Sequence, residues 1–263
     1  MTAILKPAIT VASALWILLA NTALEAPRMG FVRLANEEVW SLRGIGGSFY
    51  YGQRAATKID HHAFNGLIGV RTSGDEADLL GASGEVLRVT RIQGAVLAIG
   101  LSTIEATAYV LTDSELWRLD SVHADRFEVP NLPEGRLAGI SGAGPYVDFA
   151  IASEGQVGVH RIWLDTGETL LREVFKANPE HVLFLSRDML LWSEEESLYL
   201  RRSNGTVGRM EIGARTFVLH EVGPDWIHAT ADDGRQLALQ LTGDPRLPQS
   251  MDMRLLHLPD TAK

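Results

Sequence analysis

From about Met29 to Pro259, short runs of Val, Ile, Leu, Phe, Tyr and Trp alternate with polar residues, and the alternation never gives way to a helical period. Turn dipeptides punctuate it: Ser73-Gly74, Ser83-Gly84, Glu154-Gly155, Thr166-Gly167, Asn204-Gly205 and Asp233-Gly234. Alternation sends one side of each run to a core and the other to water. Many short strands with regular turn signals restrict the chain to an all-β sandwich, barrel or propeller.

The runs group into units of four. One unit starts near residue 59 and comprises Ala63-Phe64, Gly66–Thr72, Glu76–Gly81 and Glu85–Ile92. Further units start near 95, 136, 180 and 215, the last comprising Thr216–Val222, Trp226–Thr230, Gln236–Leu241 and Met253–Leu258. The spacings of 36, 41, 44 and 35 residues match a propeller blade of four strands. This predicts an all-β fold, a β-propeller of five or six four-stranded blades closed by N- and C-terminal strands. A non-repeating double-sheet sandwich is the alternative. Two strands, Phe31–Leu34 and Val39–Arg43, are left over. Since shared strands hide sheet edges, this hairpin is expected to complete the last blade by pairing with Met253–Leu258, bringing the two ends of the mature chain together. The glycine-rich stretch Gly44–Lys58 and the two-proline stretch Thr242–Asp252 read as loops.

With these units the chain resembles exported bacterial β-propeller repeat proteins, in the broad WD40- or YVTN-like sense. The Trp-Asp dipeptide of many WD40 units is absent: the fourth unit has Leu191-Trp192-Ser193 and the second Leu116-Trp117-Arg118. Ser41–Ser48 (SLRGIGGS) is similar to a GIPG turn in exported propeller-like proteins of soil bacteria, with Gly46 replacing the proline. That resemblance implies a fold and no activity.

The amino end reads as a secretory signal over residues 1–26, followed by a single propeller domain over 27–263. Lys6 supplies a positive charge, Ala8–Ala20 is apolar and uncharged, and cleavage is expected after Ala23 or Ala26. The apolar run is 13 residues, short of the ~20 a membrane helix needs, so no stable membrane span is expected after cleavage. An uncleaved anchor is the alternative. The implied location is periplasmic or extracellular. The 263 residues contain no cysteine, which excludes disulfides, thiolate metal sites and a cysteine nucleophile. With 33 acidic against 24 basic residues and no basic cluster, nucleic acid is not an expected partner.

Motifs that carry chemistry are few. His61-His62, after Asp60, is the one histidine pair, but neighbours on a strand point to opposite faces and rarely share a metal. Histidines 123, 160, 181, 220, 228 and 257 are scattered singly. Asp113-Ser114-Glu115 and Asp232-Asp233-Gly234 lack calcium-loop spacing, and the latter reads as a type I′ turn. Glu194-Glu195-Glu196 reads as a solvated hairpin tip. Gly139-Ile140-Ser141-Gly142 and Gly81-Ala82-Ser83-Gly84 are not nucleophile elbows. Asn204-Gly205-Thr206 is formally a glycosylation sequon but is used as a type I′ hairpin turn. Trp40, Trp117, Trp163, Trp192 and Trp226 fall on strands, as core residues would, which leaves Tyr50-Tyr51 as the best aromatic contact surface.

No catalytic, cofactor-binding or metal residue is assigned, and no cofactor. The reading is a non-catalytic exported binding or scaffolding module whose partner is a protein or surface ligand. The alternative is a propeller hydrolase or lactonase with a metal in its central channel. That alternative finds only His181 and Asp60 as obvious polar contributors among largely apolar innermost strands. An outer-surface or secretion-apparatus subunit is a third reading.

Overall fold

The structure, a computed structural model, describes residues 26–34, 36–45, 48–185, 189–213, 217–223, 226–242 and 252–257. They form six antiparallel sheets and no helix. Blade 1 has three strands, β1 (Arg28–Arg33), β2 (Val39–Ile45) and β3 (Ser48–Ala56). Blade 2 has β4 (His61–Phe64), β5 (Ile68–Ser73), β6 (Glu76–Gly81) and β7 (Val86–Arg91). Blade 3 follows with β8 (Val96–Leu101), β9 (Ala108–Thr112), β10 (Glu115–Leu119) and β11 (Ala124–Glu128). Blade 4 has β12 (Arg136–Ala143), β13 (Tyr146–Ser153), β14 (Gln156–Trp163) and β15 (Thr169–Lys176). Blade 5 has β16 (Val182–Leu185), β17 (Met189–Glu194), β18 (Ser197–Arg201) and β19 (Val207–Glu211). Blade 6 has β20 (Phe217–Gly223), β21 (Trp226–Ala231), β22 (Gln236–Thr242) and β23 (Asp252–His257). The expected period is observed, and the number of blades is six.

The middle strands of the sheets are buried on both faces against neighbouring sheets, so the core is divided into six inter-blade clusters. Phe31, Val39, Ile59 and Phe64 join blades 1 and 2. Ile68, Val70 and Leu79 meet Ala108, Val110 and Leu119 between blades 2 and 3. Similar clusters join blades 3 and 4, 4 and 5, and 5 and 6. The ring closes where Val32, Leu42, Phe49 and Tyr51 of blade 1 pack on Val222, Trp226 and Ala238 of blade 6. At ~25 cal/mol per Å² of apolar surface, such clusters are the main hold between sheets that share no strand.

The N- and C-terminal blades thus close the ring, but not by sharing a sheet. The hairpin Phe31–Arg43 does not pair with Met253–Leu258. Instead β2 pairs with β1 and β3, and β23 pairs with β22. The missing partner came from inside Gly44–Lys58, which is not one long loop. Phe49 and Tyr51 are buried and Tyr50 is 39% exposed between them, a strand alternation masked by the glycines on either side. The second loop expectation, at Thr242–Asp252, and the signal segment lie largely outside the described residues, as does Gly46 of the glycine-rich turn.

An odd number of strands in blade 1 has a directional result. The innermost strands of blades 2 to 6 run from what is here termed the lower face to the upper face; Ser102 and Gly142, just past β8 and at the end of β12, form a parallel bridge. Strand β1 runs the other way. Arg33 at its end donates from Nε to the Ile59 carbonyl beside the start of β4, at 2.7 Å. Arg28 at its beginning donates to the Ser83 carbonyl in the β6–β7 turn on the upper face. Because β1 starts at the upper face, three strands deliver the chain to β4 at the lower face, as four do in the blades whose first strand starts at the lower face. Approach near the axis is close: a Cβ on Gly30 would lie 2.0 Å from the Val222 carbonyl oxygen, and one on Gly100 2.0 Å from that of Ile140.

Three-residue turns correct the type I′ expectation. At Asn204-Gly205 only Gly205 has positive φ, at 83°, and its N–H bonds the Arg202 carbonyl at 2.9 Å. Asp232-Asp233-Gly234 repeats this, with Gly234 at 85° and its N–H 3.0 Å from the Ala231 carbonyl. Both are type I turns closed by a left-handed glycine. Two positive φ angles in a row occur at Glu154 (51°) and Gly155 (75°), where Ser153 pairs with Gln156, as type I′ requires.

Candidate functional site

The innermost strands enclose a central channel whose lower end opens into a cavity of about 280 Å³. Its apolar wall includes Leu97, Ile99, Leu137, Ile140 and Phe184. Its polar lining is Arg33, His61, His62, His181 and His220, with Asp60, Glu180 and Glu221.

Strand alternation explains how these side chains arrive. On β4, Phe64 packs toward blade 1 and Ala63 toward blade 3, so His62 shares the blade 1 side and His61 the blade 3 side. On β20, Leu219 packs toward blade 5 and Val222 toward blade 1, so His220 faces blade 1. The inverted β1 ends between these two strands and places Arg33 there. His181 immediately precedes β16.

Both ring nitrogens of His62 are buried and have no hydrogen-bond partner among the described residues, with the residue only 4% exposed. Burial, and then the nearby Arg71 and Arg33 cations, hold its pKa down at about 3. His220 falls well below the ordinary value, through burial first and then the proximity of His228, His62, His181 and Arg33. His181 remains reachable by water, yet enough protein surrounds the ring to lower it to about 4. His61 is lowered by burial and by Arg33, against a raising effect of Asp60. At neutral pH the imidazoles are therefore uncharged, and Arg33 is the cation among them. Apart from its Nε bond to Ile59, the Arg33 guanidinium has no acceptor or ion-pair partner among the described residues.

Behind His220, on β21, stands His228, its ring centroid 6.4 Å away. His228 Nε2 lies 3.1 Å from the Tyr51 hydroxyl across the blade 1–blade 6 seam. The opposite, upper face of the ring is different in character. Leu67, Ile104 and Val122 lie on the tips of upper-face loops of blades 2 and 3 and are 70%, 71% and 66% exposed. Asn65 Nδ2 ties the first two loops together through the Ser102 carbonyl at 3.2 Å.

The structure brings His61, His62, His181 and His220 to one cavity and leaves His123 on the surface beside Asp120 and His160 half-buried on β14. His257 ends the outermost strand of blade 6. Among the described residues no group of three or more His, Asp or Glu is arranged to hold a metal ion. Asp113 accepts the Ala95 N–H at 3.1 Å and Asp233 the Arg235 N–H at 3.0 Å, so both act in turns. Tyr51 is buried and is no contact surface. Sequence reasoning missed Arg33 and His220. The period already placed Thr216–Val222 first in its unit, hence innermost, so His220 was recoverable; Arg33 required knowing that β1 is inverted.

Among the described residues no helix is long and apolar enough to cross a membrane. No protein-family model matches the chain, and no curated protein matches it either. Solved structures share the fold. A chain of the nidogen/laminin complex is similar at 13% identity and a TM-score of 0.56, over 86% of this chain and 95% of that one. A protein of unknown function from Bacteroides caccae is similar at 9% identity and a TM-score of 0.53, over 87% and 92%. PorZ, a bacterial surface component of the type-IX secretion system of Porphyromonas gingivalis, is similar at 12% identity and a TM-score of 0.50, over 90% of this chain. This chain spans 38% of the length of PorZ. The chain is a six-bladed β-propeller.

Proposed function

We propose that the protein is an exported, non-catalytic binding or scaffolding module that engages a protein or surface ligand through the upper face of the ring. The observation that carries this is the trio Leu67, Ile104 and Val122, large apolar side chains on upper-face loop tips of blades 2 and 3 with most of their surface in water. Exposed apolar side chains grouped on one face mark contact surfaces, because their burial drives association. Loops fixed by a rigid ring lose little freedom on binding. The neighbours accord with this reading: PorZ is a surface component of a secretion system, and the nidogen/laminin structure is a complex of proteins.

The test is a crosslinking capture in the native host with the full chain and with a Leu67→Asp/Ile104→Asp variant. Both substitutions fall on exposed tips and leave the melt within ~0.5 kcal/mol of the parent. A partner captured by the parent and lost by the variant supports the reading, and a capture unchanged by the variant overturns it. Export is tested separately: the mature amino terminus is expected near Leu24 or Pro27 by mass spectrometry, and intact Met1 in the membrane fraction overturns cleavage.

A further inference from the structure

We propose that the lower mouth of the channel is a binding site for a small monocarboxylate, gripped by the Arg33 guanidinium between the imidazoles of His62 and His220, with its apolar body against the innermost strands. The site is at the opposite end of the ring from the loop tips of the upper face and does not depend on what they bind.

Three observations converge on it. Arg33 sits at a cavity with its terminal nitrogens bound to no acceptor among the described residues, although its Nε is anchored on the Ile59 carbonyl at 2.7 Å. A guanidinium presents donors in a planar fork, which matches the two oxygens of a carboxylate. Next, His62 lines the same cavity with both ring nitrogens buried and unpartnered. A buried imidazole that satisfies neither nitrogen forfeits a hydrogen bond worth ~1 kcal/mol or more unless something outside the chain supplies it. Finally, the rest of the wall is aliphatic and aromatic: Leu97, Ile99, Leu137, Ile140 and Phe184. A cavity of about 280 Å³ lies at the small end of the range for ligand pockets and suits a head group with a short apolar tail.

The surrounding charge separates a carboxylate from a phosphate. Asp60, Glu180 and Glu221 also border the cavity. Asp60 is engaged by the Gly74 N–H at 2.8 Å, and Glu221 alternates with His220 toward blade 5. With one cation against three carboxylates among the described lining residues, a doubly charged phosphate is opposed more strongly than a singly charged carboxylate, which is held by the Arg33 fork. The neutral imidazoles contribute N–H donors without adding positive charge.

The carboxylate has two possible sources, a free short-chain acid or the C-terminus of a peptide, and the probes distinguish them. Full-length protein labelled with 15N-histidine is titrated at constant ionic strength with butyrate, butyramide, N-acetyl-leucine, N-acetyl-leucinamide and inorganic phosphate. The imidazole 15N resonances of His62 and His220 are followed. One or both carboxylates are expected to shift these signals saturably, while both amides and phosphate leave them in place. Butyrate alone points to a free acid, and N-acetyl-leucine alone to a peptide end. Arg33→Gln is expected to weaken the carboxylate about tenfold or more, and Arg28→Gln, at the upper end of the same strand, to leave it unchanged. Absence of a saturable shift with either carboxylate overturns the proposal. So does equal binding of the amides, comparable binding of phosphate, or undiminished affinity in Arg33→Gln. Should Arg33→Gln fail to fold, Arg33→Lys replaces it: the charge stays and the fork goes, so affinity falls several-fold, and an unchanged affinity overturns the site.

Discussion

The hydroxyl of Tyr51 in blade 1 lies 3.1 Å from Nε2 of His228 in blade 6, joining residues 177 positions apart across the seam that closes the ring. The same hydroxyl donates to Gln236 Oε1 at 3.3 Å, and Thr230 donates to that oxygen at 2.9 Å. With Gln236 accepting both, the Tyr51 oxygen is left to accept from a neutral His228. Tyr51→Phe removes one member of this buried chain and deprives His228 Nε2 of the hydroxyl 3.1 Å away. A loss of ~1–2 kcal/mol is expected in a denaturant melt at unchanged slope. Tyr50→Phe, on the exposed side of the same strand, is expected to stay within ~0.5 kcal/mol. Equal losses for the two would remove the seam from the account of stability.

Acid should weaken the ring early. His62 and His228 are fully enclosed, with pKa values of about 3 and about 4 against an ordinary 6.5, in both cases chiefly through burial. The unfolded chain therefore binds protons that the folded chain refuses. Their contribution is complete above pH 6.5 and drains away as the pH falls from there, toward about 4 for His228 and about 3 for His62. Each such imidazole costs up to ~1.4 kcal/mol per pH unit, so the two together remove about 2–3 kcal/mol between pH 7.5 and 5.5. Urea melts at these pH values check the slope. His62→Gln should flatten it, and a pH-independent stability over this range would show that the rings are not held neutral.

Turn chemistry gives a paired test. Gly205→Val places a β-branched residue at φ 83° and is expected to cost ~1 kcal/mol or more. Exposed Glu195→Gln should stay within ~0.5 kcal/mol. Glu154 occupies φ 51° in the type I′ turn, where asparagine is favoured, so Glu154→Asn is expected to stabilise by ~0.5 kcal/mol. Thermal midpoints rank the three, and a stabilising Gly205→Val would contradict the turn geometry.

Removing blade 1 should open the ring. Deletion of residues 1–56 strips the partners of both β4 and β20 and uncovers two inter-blade clusters. Loss of the cooperative melt and aggregation on size exclusion are expected, rather than a mild loss of stability. A monomeric five-bladed product that melts as sharply as the full chain would show that blades 2 to 6 close without it.

The period of four strands was legible because short apolar strands recur between turn signals; the middle strands, such as Ala108–Thr112, are buried on both faces and read as continuous apolar runs, while outer strands such as Thr169–Lys176 are largely exposed. The unit beginning near residue 136 coincides with β12, and that near 215 precedes β20 by two residues. Blade 1 was not legible in full. Phe49 and Tyr51 carry a strand signal only two residues deep, bounded by Gly44, Gly46, Gly47 and Gly52, and glycine carries no side chain to mark a face. The site was half-legible. His62 and His181 were visible as residues, but their meeting with His220 and Arg33 depends on which ends of non-adjacent strands share a face. That is a property of ring closure and strand direction, which no local window contains.

The inverted first strand also gives the ring two unlike poles. The chain comes in at Arg28, over the pole of Leu67 and Ile104, while its last strand finishes at His257, paired with Leu237 at the pole of the imidazoles. A cargo fused ahead of residue 26 lies on the face that carries the apolar tips, whereas one fused past the final strand lies on the face of the channel opening. The two ends of the described chain therefore leave from opposite faces of the ring, so an attachment at either end lies over a different face.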